Sequence, residues 1–212
     1  MHRRDVLKVA VWAGGIACLP RVALADDVSD ALGEIKKARA GLKTLVGPFV
    51  QERTIGLLAT TVKSDGEVTM VLPDRLRWEL KPPDAVTYWI GPEGFSFSTP
   101  QGSTKVGKAA AGRFGAVLGD LMILLGGDLE KLRARYDFKV PSRKDGITLR
   151  AFPKAEDVKK HVKRIEMRSG PELWTIREIT IEEQSGDLSV IRFGKMVRDV
   201  RVDPSKMAPR KS

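Results

Sequence analysis

The chain is short of the groups that usually carry chemistry. It has one cysteine, Cys18, and two histidines, of which only His161 lies beyond the first few residues. A single thiol excludes an intrachain disulfide and a thiolate metal cluster. No Gly-x-Ser-x-Gly elbow, phosphate loop or zinc spacing occurs. Catalytic residues are therefore assigned to no position, and no metal or cofactor is expected. His161 sits in the lysine-rich run Lys159-Lys160-His161-x-Lys163-Arg164 and reads as a solvated side chain. Glu182-Glu183 and Asp65 read as surface charges rather than an acid–base pair. The chain also lacks internal repeats, low-complexity tracts and any apolar run long enough to span a bilayer.

The first 25 residues have the layout of an export signal. His2-Arg3-Arg4-Asp5-Val6-Leu7-Lys8 is a basic start, Val9 to Leu19 is an apolar stretch, and Ala23-Leu24-Ala25 is a small-x-small cleavage site. Arg3-Arg4-x-x-Leu7-Lys8 matches a twin-arginine signal; the alternative is an ordinary secretory signal that carries two arginines. Lipidation at Cys18 is the weaker option, because Gly15 stands where a lipoprotein box wants leucine. Residues 26–212 are read as one domain, located in the periplasm. The whole chain carries +10. Removing Arg3, Arg4, Lys8, Arg21 and Asp5 takes away +4 − 1 = +3 and leaves +7. Such a charge favours anionic lipid head groups or acidic partners. Nucleic acid is discounted, because the basic residues are spread out and no recognition motif appears.

Ser29 to Val46 has apolar residues at helical spacing (Ala31, Leu32, Ile35, Ala38, Leu42, Leu45) and is predicted as an amphipathic helix capped by Ser29 and ended by Gly47-Pro48. Strands are predicted at 49–55, 57–63, 67–72, 75–81, 85–90 and 94–99, with Asp65-Gly66 among the turns. Leu76, Trp78 and Leu80 share one strand face; Arg75, Arg77, Glu79 and Lys81 share the other, in water. Gly107 to Tyr136 reads as two short helices broken at Gly126-Gly127, the second capped by Asp128. The first has a broad apolar face and several glycines, which suits a lid. Strands resume at 135–140, 147–152, 161–168, 173–183, 187–193 and 196–202. About a dozen short strands with two helical regions predict an antiparallel sheet curled into a half-open barrel, helices across its mouth.

These features resemble one family. The Pro73-x-Arg75-Leu76-x-Trp78 run, with Pro82-Pro83 after it, is similar to the periplasmic outer-membrane lipoprotein carriers (LolA-like). So are the N-terminal helix, Phe49-x-Gln51, the glycine turn before Phe95-x-Phe97 and the C-terminal meander. The resemblance implies an unclosed, strongly curved antiparallel half-barrel with helices covering its concave apolar face. It implies a carrier of lipoprotein acyl chains, or of a related amphiphile, with an inner-membrane donor and an outer-membrane acceptor. It implies no enzymatic activity and no cofactor. The family's basic residue just before the proline is replaced here by Leu72. The alternative is a lipid-sensing or protein-interaction module built on the same half-barrel. The protein is expected to be a monomer. The candidate cavity residues are Phe49, Leu76, Trp78, Leu80, Tyr88, Ile90, Phe95, Phe97, Leu121, Leu124, Ile165 and Met167. Trp89 and Trp174 are not assigned a face.

Overall fold

The computed structural model describes residues 23–92, 94–106, 112–126 and 128–209. The stretch expected to be an export signal lies outside them up to residue 22, with Cys18, as do Gly107 and Gly127. The described residues form one antiparallel sheet of 12 strands that does not close on itself. In chain order the elements are α1 (Ala23–Ala38), β1 (Thr44–Ile55), β2 (Thr60–Val71), β3 (Arg75–Leu80), β4 (Thr87–Gly91), β5 (Gly94–Thr99) and β6 (Gly102–Val106). Then come α2 (Gly112–Gly126), a 3-10 helix (Leu129–Ala134), β7 (Tyr136–Ser142), β8 (Thr148–Pro153), α3 (Glu156–Lys159) and β9 (Val162–Ser169). The chain closes with β10 (Ile176–Glu183), β11 (Leu188–Phe193), β12 (Val197–Arg198) and a 3-10 turn (Pro204–Met207).

The strand order is β6-β5-β4-β3-β2-β1-β11-β10-β9-β8-β7. The first and last halves of the chain thus build separate wings, joined where β1 meets β11. The inner face is traced by pairs of directly opposed residues. Phe49 lies opposite Phe193 and Gly66; Val68 opposite Trp78; Trp78 opposite Tyr88; Tyr88 opposite Phe97. In the other wing Gln51 meets Ile191, Ile191 meets Ile179, and Ile179 meets Met167. Opposed residues share a face, so a surface that is apolar except at Gln51 runs from β5 across to β9.

Several expectations need correction. Helix α1 ends eight residues earlier than Val46, because Gly41 adopts φ +79°, a left-handed conformation that breaks a helix. Leu45 belongs to β1, where its alternation with Gly47 and Phe49 outweighs the helical spacing. Ser29 is inside the helix and accepts a hydrogen bond from Arg133 Nη2 at 3.0 Å. Asp65-Gly66 is not a turn but the middle of β2. A Cβ at Gly66 would collide with the Phe49 ring, so this glycine gives the ring room. The turn falls between Ile55 and Thr60, at the break between the predicted strands 49–55 and 57–63, and takes up Leu57 to Ala59 of the second. Strand β6 was not anticipated. The break at Gly126 and the Asp128 cap, which accepts from Glu130 N at 3.2 Å, agree with the sequence reading.

Candidate functional site

Trp78 sits where the two wings meet. Its ring lies 3.9 Å from that of Phe49, tilted by 31°, and meets Phe193 edge-on at 6.2 Å. Beyond it, Tyr88, Phe95 and Phe97 form a second aromatic group with centroids 6.0–6.4 Å apart. Phe49, Leu76, Trp78 and Phe95 are buried; Leu80, Tyr88, Ile90 and Phe97 are half-buried. Burial raises the Tyr88 phenol above its usual pKa, with help from the Asp84 charge. Leu121 and Leu124 are buried on α2, and Ile165 and Met167 are buried on β9 in the far wing. All twelve candidates belong to one apolar cluster that includes the inner face and the helices against it. Those still open to solvent are confined to β3, β4 and β5. Trp89 points outward, where its Nε1 donates to the Lys206 carbonyl at 2.8 Å. Trp174 lies beneath the Arg198 guanidinium at 5.1 Å.

Arg77 departs from its expected exposure. Its side chain is only 14% exposed and pairs with Glu79 at 2.8 Å, with Glu67 at 3.9 Å.

Helix α2 is held on the sheet by two polar contacts that pattern reading passed over. The first is Arg39, just past the end of α1. Its Nη1 donates to the Leu124 carbonyl at 2.8 Å, while Nε and Nη2 are buried without a partner. A cation at a helix C-terminus is electrostatically favoured. Burial nonetheless lowers the Arg39 pKa to about 10. Arg39 is four residues after Ile35, hence on the buried face of the helix; that spacing was the available signal. The second contact is Asp120, whose Oδ2 accepts from Tyr136 OH at 2.5 Å and whose Oδ1 lies 3.3 Å from Arg135 Nε. Burial raises the Asp120 pKa, opposed by the Tyr136 hydrogen bond and the Arg135 charge. Leu72, in the place of the family's basic residue, packs its side chain against Gly126, at the end of α2. In this chain that position is apolar, and the cation that grips the helix comes from the end of α1.

A second opening lies at the far edge of the inner face. A cleft of about 780 Å³ runs between the start of α1 and β7, floored by Val28, Tyr136, Phe138 and Val140 and edged by Lys139 and Lys154. Among the described residues no cluster of metal-binding side chains occurs and no helix is long and apolar enough to cross a membrane.

Comparison with known proteins agrees with this architecture. A chain of the Pseudomonas aeruginosa MucA/MucB complex superposes with a TM-score of 0.51 at 15% identity, covering 87% of this chain and 61% of that one. A DUF1329 family protein from Desulfovibrio piger superposes with a TM-score of 0.51 at 10% identity, covering 85% and 97%. A structure of MucB gives 0.50 at 16% identity, covering 87% and 63%. The chain thus spans about three fifths of the chains it matches in the MucA/MucB complex and in MucB. At such identities the likeness is one of fold. No curated protein sequence matches. Residues 40–208 match the family described as outer membrane lipoprotein carrier protein LolA, whose members are periplasmic binding or carrier proteins. The chain belongs to the LolA family.

Proposed function

We propose that the protein is an exported periplasmic carrier that takes up acyl chains, of lipoproteins or of a related amphiphile, on the inner face of the β3–β5 wing. The observation that carries this reading is the half-buried group Leu80, Tyr88, Ile90 and Phe97, continuous with the buried Phe49–Trp78 pair. A packed core has no reason to leave four large apolar side chains partly in water on its inner face. An acyl chain laid against them would complete the burial. No residue is assigned a catalytic role, and the cargo is handed over without covalent chemistry.

Release must be possible as well as uptake. Each buried methylene is worth about 0.8 kcal/mol. Several fully buried chains would exceed the practical affinity ceiling of about 20 kcal/mol. Helix α2 offers an offsetting cost. Ligand entry beneath it disturbs the Arg39 and Asp120 contacts, and departure restores them. Most of that cost is the exposure of Leu121, Leu124 and Leu125, which are buried on α2; the partly satisfied Arg39 adds little to it, because its buried charge regains water when α2 lifts.

A fluorescent fatty-acyl probe tests the reading. The parent should bind it with a shift in tryptophan emission. Trp78→Asp should weaken binding by several kcal/mol, since it buries a carboxylate among apolar groups. Arg77 is a poor control because of its two acidic partners, so exposed Lys81→Asp serves instead. Thermal unfolding of both variants separates binding from folding. A folded Trp78→Asp protein that binds the probe like the parent would remove the site from the inner face.

The protein-interaction alternative draws on the fold shared with the MucA/MucB complex. Lipid extraction from protein purified from its own host distinguishes the two. A shuttle retains amphiphile, whereas a partner-binding module need not.

A further inference from the structure

Four of the five exposed large apolar side chains among the described residues lie at one end of the sheet. Leu57 is 91% exposed and Leu58 64%, at the tip of the β1–β2 hairpin; Val62 (46%) and Leu188 (36%) flank it within the last rungs. Single exposed leucines need no explanation, but clustering at a protruding tip does. Strand β3 pairs with β2 only from Gly66 onward, so the outer side of β2 from Thr60 to Ser64 extends past its neighbour.

The tip is braced. Gly56 N donates to Asp187 Oδ1 at 3.1 Å, and Arg53 Nη2 donates to Asp187 Oδ2 at 2.8 Å. Gly56 lies so close to the Gly186 carbonyl that a Cβ would come within 2.6 Å of it. Leu58 N donates to the Ile55 carbonyl at 3.1 Å, and Ala59 is held at φ +48°. A non-glycine residue in that region is a strained choice that a relaxed turn would avoid. The turn therefore presents Leu57 and Leu58 outward from a fixed frame, where none of the described residues covers them.

Basic groups stand beside it. Gln184, in the β10–β11 turn, donates from its side chain to the Lys159 carbonyl and from its backbone to the His161 carbonyl. This places the Lys159–Arg164 run at the same end of the sheet, roughly 15 Å from the tip at the ordinary strand spacing. The carboxylates there are already engaged. Glu156 pairs with Lys159, Glu183 and Asp187 pair with Arg53, and Glu182 is shared by Lys163 and Arg164. Five cations, Arg53, Lys159, Lys160, Lys163 and Arg164, thus stand against four carboxylates, a surplus of one positive charge, and Lys160 is exposed.

We propose that this end of the molecule docks on an anionic lipid bilayer, with Leu57 and Leu58 entering the interface and the Lys159–Arg164 run facing the head groups. A convex apolar tip with basic flanks suits a lipid surface, which is deformable and negatively charged. The inference goes beyond ligand binding on the inner face and fails separately from it.

The test is flotation with phosphatidylglycerol/phosphatidylethanolamine vesicles, beside phosphatidylcholine vesicles. The parent should float with the anionic vesicles, and less so in high salt. L57S/L58S should lose this binding by about tenfold or more, while keeping its melting temperature and acyl-probe affinity. Leu57→Trp should show a blue-shifted emission only with the anionic vesicles. The proposal is overturned if the parent does not float with anionic vesicles, or if L57S/L58S floats as the parent does. It is equally overturned if sedimentation shows a dimer of the parent that this variant abolishes, since the tip would then serve a second copy of the chain.

Discussion

The two wings of the sheet are built from the same alternation but finished differently. In the β8–β11 wing, Leu149, Ile165, Met167, Ile179, Ile181 and Ile191 are all buried, and Phe193, where β11 meets β1, is a partly open ring. Its outer face is tied by a charge ladder across four strands: Glu52 to Arg192 at 2.6 Å, Arg192 to Glu178 at 3.1 Å, Glu178 to Arg168 at 3.6 Å. In the β3–β5 wing four of the seven inner residues are aromatic (Trp78, Tyr88, Phe95 and Phe97), and four (Leu80, Tyr88, Ile90 and Phe97) are partly open. β-Branched and aliphatic side chains interdigitate without gaps, whereas flat rings offer broad surface to something that slides over them. The first wing holds the fold, and the second is left incomplete for a ligand.

The sharpest way to break this comparison is to truncate one inner residue in each wing. Ile179→Ala should cost about 2–5 kcal/mol of stability, the range for deleting a fully packed aliphatic side chain. The acyl-probe affinity of the remaining folded protein should not change. Phe97→Ala should cost less stability, because its ring is only half-buried, and should weaken probe binding by about tenfold. Urea unfolding and probe titration on both proteins decide the matter. If Ile179→Ala loses binding while Phe97→Ala keeps it, the division between wings is reversed.

Much of this was readable from the chain. Leu76, Trp78 and Leu80 alternate with charges, and the register puts them on the inner face as the period of two requires. What eluded reading were residues whose signal has two meanings. Gly66 looked like turn punctuation because it follows Asp65, yet it serves to admit the Phe49 ring. Leu42 and Leu45 fit a helical spacing, and only the left-handed Gly41 transfers Leu45 to a strand. Strand β6 includes Ser103 and Thr104, polar and exposed as a sheet edge allows, so no alternation marks it. Arg39 and Asp120 were missed because sequence patterns treat charge as a sign of solvent. Apart from the spacing of Arg39 from Ile35, these buried charges are visible only through the partners that tertiary packing brings to them, Leu124 and Tyr136.

A smaller effect sharpens the account of how α2 is held. Arg39→Met removes a buried cation of which only Nη1 is paired. Replacing such a group by an apolar side chain of similar length is often neutral or stabilising. Stability should change by no more than about 1 kcal/mol, while amide exchange in residues 119–126 becomes faster. Loss of about 3 kcal/mol or more would mean that Arg39 is a net support of the fold, and would end its role as a weak grip.

The subtlest expected effect is one of pH, and its sign separates α2 from the ladder wing. Glu52 and Glu182 have pKa values lowered by hydrogen bonds to Arg192 and Lys163. Their support is present above the ordinary carboxylate pKa and fades as pH falls through the lowered folded values. Asp120 goes the other way. Its folded pKa is raised by burial, so the folded protein takes up this proton before the unfolded chain does. Its ionised form costs stability at neutral pH, and that cost is relieved as pH falls through the raised value. Asp120→Asn, which imitates the protonated carboxyl and can still accept from Tyr136, should match or exceed the parent's stability at neutral pH. Its advantage should shrink as pH is lowered to about 4. Urea unfolding of both proteins across that interval measures the difference directly. An advantage that grows in acid would mean that the Arg135 and Tyr136 contacts outweigh burial, and that ionised Asp120 clamps α2 instead of straining it.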